Sequence, residues 1–372
     1  MTPAQLKAAI DRLGDLDYAT RTNAARVVRR TAASQAVPAL LQAVAEHADG
    51  YVRYRALVLL TGFNDPRTID AMRQSLASPN DRLRTVAYSF FEHDPDASLA
   101  QQFVEALDKE QGEFVRPALV RALAALASAS AAGAGQASAP ARQALLRDVG
   151  RGENFFRSSV IEALGDYKAA YAYDAIAAVA KADGPLQDDA ALALGKLGEP
   201  RALEILAALQ RTAPRPTQPA IAAAICLLAV NCDAHLGFLV ETLKFSDKNA
   251  GFQELLRAAA AGLGALGVAG QQPAVDALFS IGIPAKDDST RAPVALALAT
   301  IALRRTPLMM TVLDRHADRD AAIAILAEGF DMLEEDLDKE RFYAFARRTY
   351  WESPDGSPRR ALMQTLIAKL DF

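Results

Sequence analysis

Apolar side chains fall three and seven residues after a polar anchor, and the anchor itself returns every 30 to 41 residues. The anchors are Arg21, Arg53, Arg84, Arg116 and Arg157, then Gln187, Gln218 and Gln253, then Arg291. Ala24 and Val28 follow the first, Ala56 and Leu60 the second, Ala190 and Leu194 the sixth. Positions three and seven apart share one face of a helix, so each unit is expected to open with an amphipathic helix. Asp17, Asp49, Asp81, Glu113, Glu153 and Asp288 stand three or four residues before an anchoring arginine. An acid there caps free amides, meets the positive end of the helix dipole and pairs with the arginine one turn later. Stacked units would turn such pairs into a ladder, which gives the arginines a structural role.

A break and a second helix follow each first one. In "GFNDPRTIDAMRQSLASP" (62–79) and "GKLGEPRALEILAALQRTAP" (195–214), Gly or Asn/Asp ends one helix and Pro opens the next. Ile69, Met72 and Leu76 form the buried stripe of one second helix, and Leu203, Leu206 and Leu209 that of another. An antiparallel helix pair of this size cannot bury its apolar faces alone, so the units must stack. The expected fold is all-α: an α-solenoid, a superhelical array of antiparallel helix pairs.

The pattern "V-R-x-x-A" together with "LGKLGEPRALEIL" (194–206) resembles the HEAT repeat, in the short HEAT-like form shared with phycobilin lyase subunits. The resemblance runs over about residues 15–305. It implies a fold rather than a function, because scaffolds, lyases, hydroxylases and DNA-repair proteins all use this repeat. Residues 1–305 are expected to form the array, with a low-complexity loop at 127–141 ("ASASAAGAGQASAPA"), and residues 306–372 an atypical C-terminal cap of the same array. The cap holds the single tryptophan, Trp351, with Phe342, Tyr343, Phe345 and Tyr350. Those aromatics either cover the last repeat or offer a partner a hot spot.

Composition changes this picture little. Hydrophobic residues make up 51% of the chain but aromatics only 7%, as suits close-packed alanine-rich helices. A net charge of −4 without a basic stripe argues against nucleic acid, and no apolar run is long enough to span a bilayer. Cys226 and Cys232 fit neither a disulfide framework nor a metal motif and suit a reducing compartment, so a cytoplasmic location is expected.

Candidate chemistry is sparse. "GLGALG" (262–267) matches a dinucleotide-binding pattern, but it follows a helix rather than a strand and is read as a loose helix end. His47, His93, His235 and His316 lie in separate units without a second histidine one turn away. Glu92, His93 and Asp94 are the nearest thing to a metal-binding group, and His93 is better read as a helix C-terminal cation. The HEAT-like hydroxylases carry repeated His-Glu dipeptides, which this chain lacks. No catalytic residue, metal site or cofactor is expected.

The expected function is that of a non-enzymatic scaffold or adaptor that binds a protein partner on a concave face lined by second helices. The candidate contacts are Gln42, Glu46, Asp70, Arg73, Gln101, Glu105, Asp174 and Glu204. The alternative is an accessory subunit of a lyase or other enzyme that uses the groove as a small-molecule pocket.

Overall fold

The computed structural model describes residues 1–128, 138–249, 251–333 and 336–372. Among them, the helices of the first half are α1 (Pro3–Asp11), α2 (Tyr18–Arg29), α3 (Ala33–Glu46), α4 (Gly50–Thr61), α5 (Arg67–Ser75), α6 (Asp81–His93), α7 (Ala100–Lys109), α8 (Val115–Ser128), α9 (Ser138–Asp148), α10 (Asn154–Asp166) and α11 (Tyr173–Lys181). Then come α12 (Gln187–Leu197), α13 (Ala202–Thr212), α14 (Gln218–Leu227), α15 (Cys232–Lys248), α16 (Gln253–Val268), α17 (Gln272–Gly282), α18 (Asp288–Arg304), α19 (Thr306–Arg315), α20 (Arg319–Met332), α21 (Asp336–Glu352) and α22 (Pro358–Lys369). The described residues contain no strand, and the fold is an all-α array of helix pairs. Every anchor falls within the first four residues of an even-numbered helix from α2 to α18. The even-numbered helices are thus the first helices of the units, and α3 to α19 the second ones.

Local sequence sets the helix ends. Thr2 and Gln5 form a reciprocal capping box on α1. Asp17 accepts from the Thr20 amide at 2.8 Å and Asp49 from the Tyr51 amide at 2.8 Å. At α18 the cap is Asp287 rather than the expected Asp288, which lies inside the helix. Gly198, left-handed at φ 76°, closes α12 before Pro200 and α13. Of the expected loop at 127–141, Ala127 and Ser128 end α8 and Ser138 to Ala141 begin α9; the rest lies outside the described residues.

Seven of the nine anchors share one job, and it is not chiefly ion pairing. Arg53 donates to the Val44 carbonyl at 2.7 Å, Arg84 to Ser78 at 2.8 Å and Arg157 to Val149 at 3.0 Å. Arg291 reaches the Gly282 and Ile283 carbonyls, and Arg21 those of Asp15 and Leu16. Each of these carbonyls lies at or just past the end of the preceding helix, where backbone acceptors have no helical partner. Gln187 makes the same contacts to Ala180 and Ala182, and Gln218 to Gln210 and Ala213. Arginine and glutamine interchange because the site needs a side-chain N–H, not a charge. Acid–arginine pairing of the expected kind is seen where Asp81 pairs with Arg84 at 2.8 Å, and Arg116 reaches Glu153, the residue before α10, at 2.9 Å.

The chain forms two compact units. The first combines Met1–Phe90 with Leu313–Phe372, and the second is Phe91–Val312. In the second unit, α8 and α14 are buried along most of their length, whereas α11 and α13 bury one face only. Small residues let successive first helices approach closely. A Cβ added to Gly165 of α10 would stand 3.0 Å from the Ala193 Cα of α12, and one on Gly195 would stand 2.6 Å from the Ala224 oxygen of α14. "GLGALG" is therefore no loose helix end. It lies inside α16, with Gly264 against Ala297 of α18.

In the first unit the C-terminal aromatics divide. Phe342 is buried and Tyr343 half-buried beside Phe330, and Tyr343 stacks on Phe372 with ring centres 4.2 Å apart. Trp351, by contrast, is 74% exposed.

Candidate partner-binding surface

All eight candidate contacts lie on second helices and are exposed. Most meet one another rather than open solvent. The Gln42 amide donates to Glu46 at 3.1 Å, and Gln101 donates to Glu105 at 2.9 Å. Arg73 and Asp70 are 3.9 Å apart, and Asp174 takes Arg201 at 3.4 Å. Pairs one turn apart on an exposed face contribute only tenths of a kcal/mol each, so they leave the surface available to a partner.

Gln42 and Glu46 alone among the eight line a described cavity. It is a groove of about 810 Å³ in the first unit, between α1 and α3. Leu6, Ile10, Pro38, Ala39 and Ala43 make its apolar floor. Lys7, Asp11, Gln35 and His47 complete the rim, and Asp11 receives Lys7 at 2.8 Å and His47 at 3.4 Å. Hydrogen bonding from Lys7 holds the Asp11 carboxyl below its ordinary pKa despite some burial. α1 presents this wall because Leu6, Ala9 and Ile10 point inward and leave Lys7 and Asp11 at the edge.

Several ionic clusters were not anticipated. In the second unit, Glu92 accepts from Arg121 at 2.8 Å, Tyr167 at 2.8 Å and Arg304 at 3.0 Å. Glu92 and Arg304 are 212 residues apart in the chain. Residues of the first helices α6, α8 and α18 thus meet at this cluster. Arg121 also holds Asp166 at 2.9 Å, which Lys196 meets at 2.6 Å. Burial pushes the Asp166 carboxyl up, but Lys196 and Arg121 outweigh it and hold it below the usual value. Glu92 is thus engaged with arginines. Among the described residues, no three His, Cys, Asp or Glu side chains gather as a metal site.

In the first unit, Glu340 is 1% exposed and holds Arg29 at 2.7 Å and Arg347 at 3.2 Å. Asp336 takes Arg55 at 2.6 Å, Lys339 at 2.9 Å and the Tyr54 hydroxyl. Burial raises the Asp336 carboxyl, and Arg55 and Lys339 more than reverse that. Arg29 lies 311 residues from Glu340 and Arg55 lies 281 from Asp336, so no local pattern signals those two pairs.

The cysteine expectation is corrected. Cys226 and Cys232 form a disulfide across the turn from α14 to α15. Ala229 at φ 59° and Asn231 at φ 44° fold that turn back on itself, which brings the two Cα atoms to 4.2 Å. The cysteines then give no argument for a reducing compartment. No single described helix is long and apolar enough to cross a membrane.

Residues 6–91 match the family model of HEAT repeats. No curated protein matches the chain. Among solved structures, an engineered protein is similar over the whole of both chains, at 16% identity and a TM-score of 0.26. Kap95p, in a structure with RanGDP, is 12% identical with a TM-score of 0.45, the whole of this chain covering 55% of that one. Importin beta is 14% identical with a TM-score of 0.44, 98% of this chain covering 55% of that one. The chain thus spans about half the length of these two transport proteins. The matched HEAT repeats carry the first three anchors, and the same register of anchors continues along the chain to Arg291.

Proposed function

We propose that this protein is a non-enzymatic scaffold or adaptor that binds a protein partner on the exposed faces of its second helices, with the groove between α1 and α3 as the principal seat. The observation that carries this reading is the pairing of an apolar floor, Leu6, Ile10 and Ala43, with a polar rim that includes Gln42 and Glu46. An apolar centre inside a polar edge is the anatomy of a protein-binding patch, and the volume suits a few side chains of a docked helix or strand. The rim mixes Lys7 and His47 with Asp11 and Glu46, which favours a protein over a nucleic acid backbone.

The experiment is quantitative capture of partners from an extract of the source organism. Wild type is compared with Ala39→Trp, which fills the groove floor, and with Glu105→Lys/Glu204→Lys, which reverses exposed charges in the second unit. A partner held by wild type and by the charge variant but lost with Ala39→Trp supports the groove. Loss only with the charge variant moves the site to the second helices of the second unit. A partner retained by both variants overturns the second-helix reading.

A further inference from the structure

A second cavity in the first unit, separate from the α1–α3 groove, has a different chemistry. We propose that this cleft of about 310 Å³ binds a small organic anion with a flat apolar body, and that Arg21 at its mouth meets the charge. Its walls come from both ends of the chain: Tyr18, Arg21 and Arg29 of α2, Tyr51 and Arg55 of α4, and Phe330, Tyr343 and Phe372 from the C-terminal segment.

Charge is the first argument. Asp336 serves two cations, Arg55 and Lys339, and Glu340 also serves two, Arg29 and Arg347. Arg21 donates to the carbonyls of Asp15 and Leu16, and the exposed Asp17 one turn upstream is the acid nearest it in sequence. Of the remaining charged groups, Asp371 is matched by Arg26 and Lys369 by Asp320, which leaves Asp331. Among the described residues the cleft is lined by five cations, Arg21, Arg29, Arg55, Lys339 and Lys369, against three acids, Asp331, Asp336 and Asp371, in a chain whose net charge is −4. Partly buried surplus cations are unfavourable until an anion joins them, so the cleft has an electrostatic reason to take one.

Ring geometry is the second argument. The Arg21 guanidinium lies 5.7 Å from the centre of the Tyr18 ring and 5.8 Å from that of Tyr51. Tyr18 is 66% exposed, an unusual position for a large ring that packing does not require. A guanidinium between two tyrosines at the mouth of an aromatic-walled cleft suits a planar group that carries a carboxylate or phosphate. The volume admits a single ring with its substituent.

The third argument comes from the repeat. Gln187 and Gln218 satisfy the end carbonyls of the preceding helix as well as arginine does, so the fold does not need a positive charge at Arg21. Arg21→Gln therefore removes the charge while keeping an N–H for Asp15 and Leu16.

The test is calorimetric titration of the full chain with phenyl phosphate, with 4-hydroxybenzoate, and with phenol as the neutral control. At least one anion is expected to bind saturably, more weakly at high salt, and more tightly than phenol. The tighter of the two names the acidic group. Arg21→Gln is expected to weaken that binding roughly tenfold or more, the effect of one charge-assisted contact, with unchanged helical circular dichroism. Tyr18→Ala, at an exposed side chain, is expected to weaken it several-fold and gives a second readout should Arg21→Gln fail to fold. The proposal is overturned if neither anion binds at millimolar concentration, if phenol binds as well, or if folded variants bind like wild type.

Discussion

The two units are held together by different means. In the second, first helices stack mainly through glycine and alanine, as where Gly195 lies against Ala224, with one buried ionic cluster at Glu92 that joins Arg121 and Arg304. In the first, segments from opposite ends of the chain meet through buried charge and rings: Arg29 on Glu340 and over the Tyr343 ring, Arg55 and Tyr54 on Asp336. Stacked repeats need only fit, because chain connectivity already places them side by side. Segments brought together from a distance lack that help, and directional ion pairs and rings fix which faces meet. One partner lost from such a buried cluster strands the others, whereas a packing fault is felt locally.

The largest expected effect follows from that contrast. Glu340→Ala leaves two partly buried arginines without a carboxylate and should cost about 3–5 kcal/mol. Trp351 belongs to the first unit, so its emission during chemical denaturation reads the loss directly. A shift under about 1 kcal/mol would remove the ionic account of that unit. Gly195→Val places a branched side chain against the Ala224 backbone and should destabilise the second unit by about 1–3 kcal/mol. Circular dichroism at increasing denaturant should show it, with the Trp351 transition moving less. If both probes shift equally, the units unfold as one and the contrast has no thermodynamic meaning.

Acid tests both units together. The Asp336 and Asp166 carboxyls are held below their ordinary pKa in the folded protein. Their contribution is fully present above the unfolded value, about pH 4, and is lost as pH falls through the lower folded values. Thermal melts should therefore drop below about pH 4, and Asp336→Asn should flatten that drop for the Trp351 signal while sparing the second unit. The smallest effect is expected at an anchor. Arg157→Gln should stay within about 0.5 kcal/mol of wild type, whereas Arg157→Ala leaves the Val149 carbonyl without its donor and should cost about 1 kcal/mol. Equal losses would mean that the arginine charge matters after all.

Much of the fold was legible because the repeat is a local code. Anchor, apolar positions at +3 and +7, and the Gly-Pro break each follow from the geometry of one helix pair, and all nine anchors open a helix. The anchor's duty was less legible. An acid one turn upstream suggests a salt bridge, but the helix-end carbonyls that most anchors cap belong to residues with no distinctive side chain. The interchange of Arg157 with Gln187 and Gln218 was the available clue. The candidate contacts were correctly placed as exposed, since they occupy the polar stripe of amphipathic helices. That only Gln42 and Glu46 border a groove depends on how α1 lies against α3, which no side chain announces. Glu340, Asp336 and the cleft at Arg21 arise from contacts between residues far apart in the chain, and periodicity carries no information about those.

The composition of the first unit has a consequence for the time course of biogenesis. Residues 1–90 leave the ribosome early, but their partners at 313–372 follow only after more than two hundred further residues have been made. At typical synthesis rates of about 5–20 residues per second, the interval is on the order of 10–45 s. During it the faces of α2 and α4 that later receive Tyr343 and Phe372 have no cover, and Arg29 and Arg55 have no carboxylate. The N-terminal repeats are thus the stretch of the nascent chain most in need of a chaperone, and a ribosome stalled before codon 313 would release a chain whose first unit has nothing to close on.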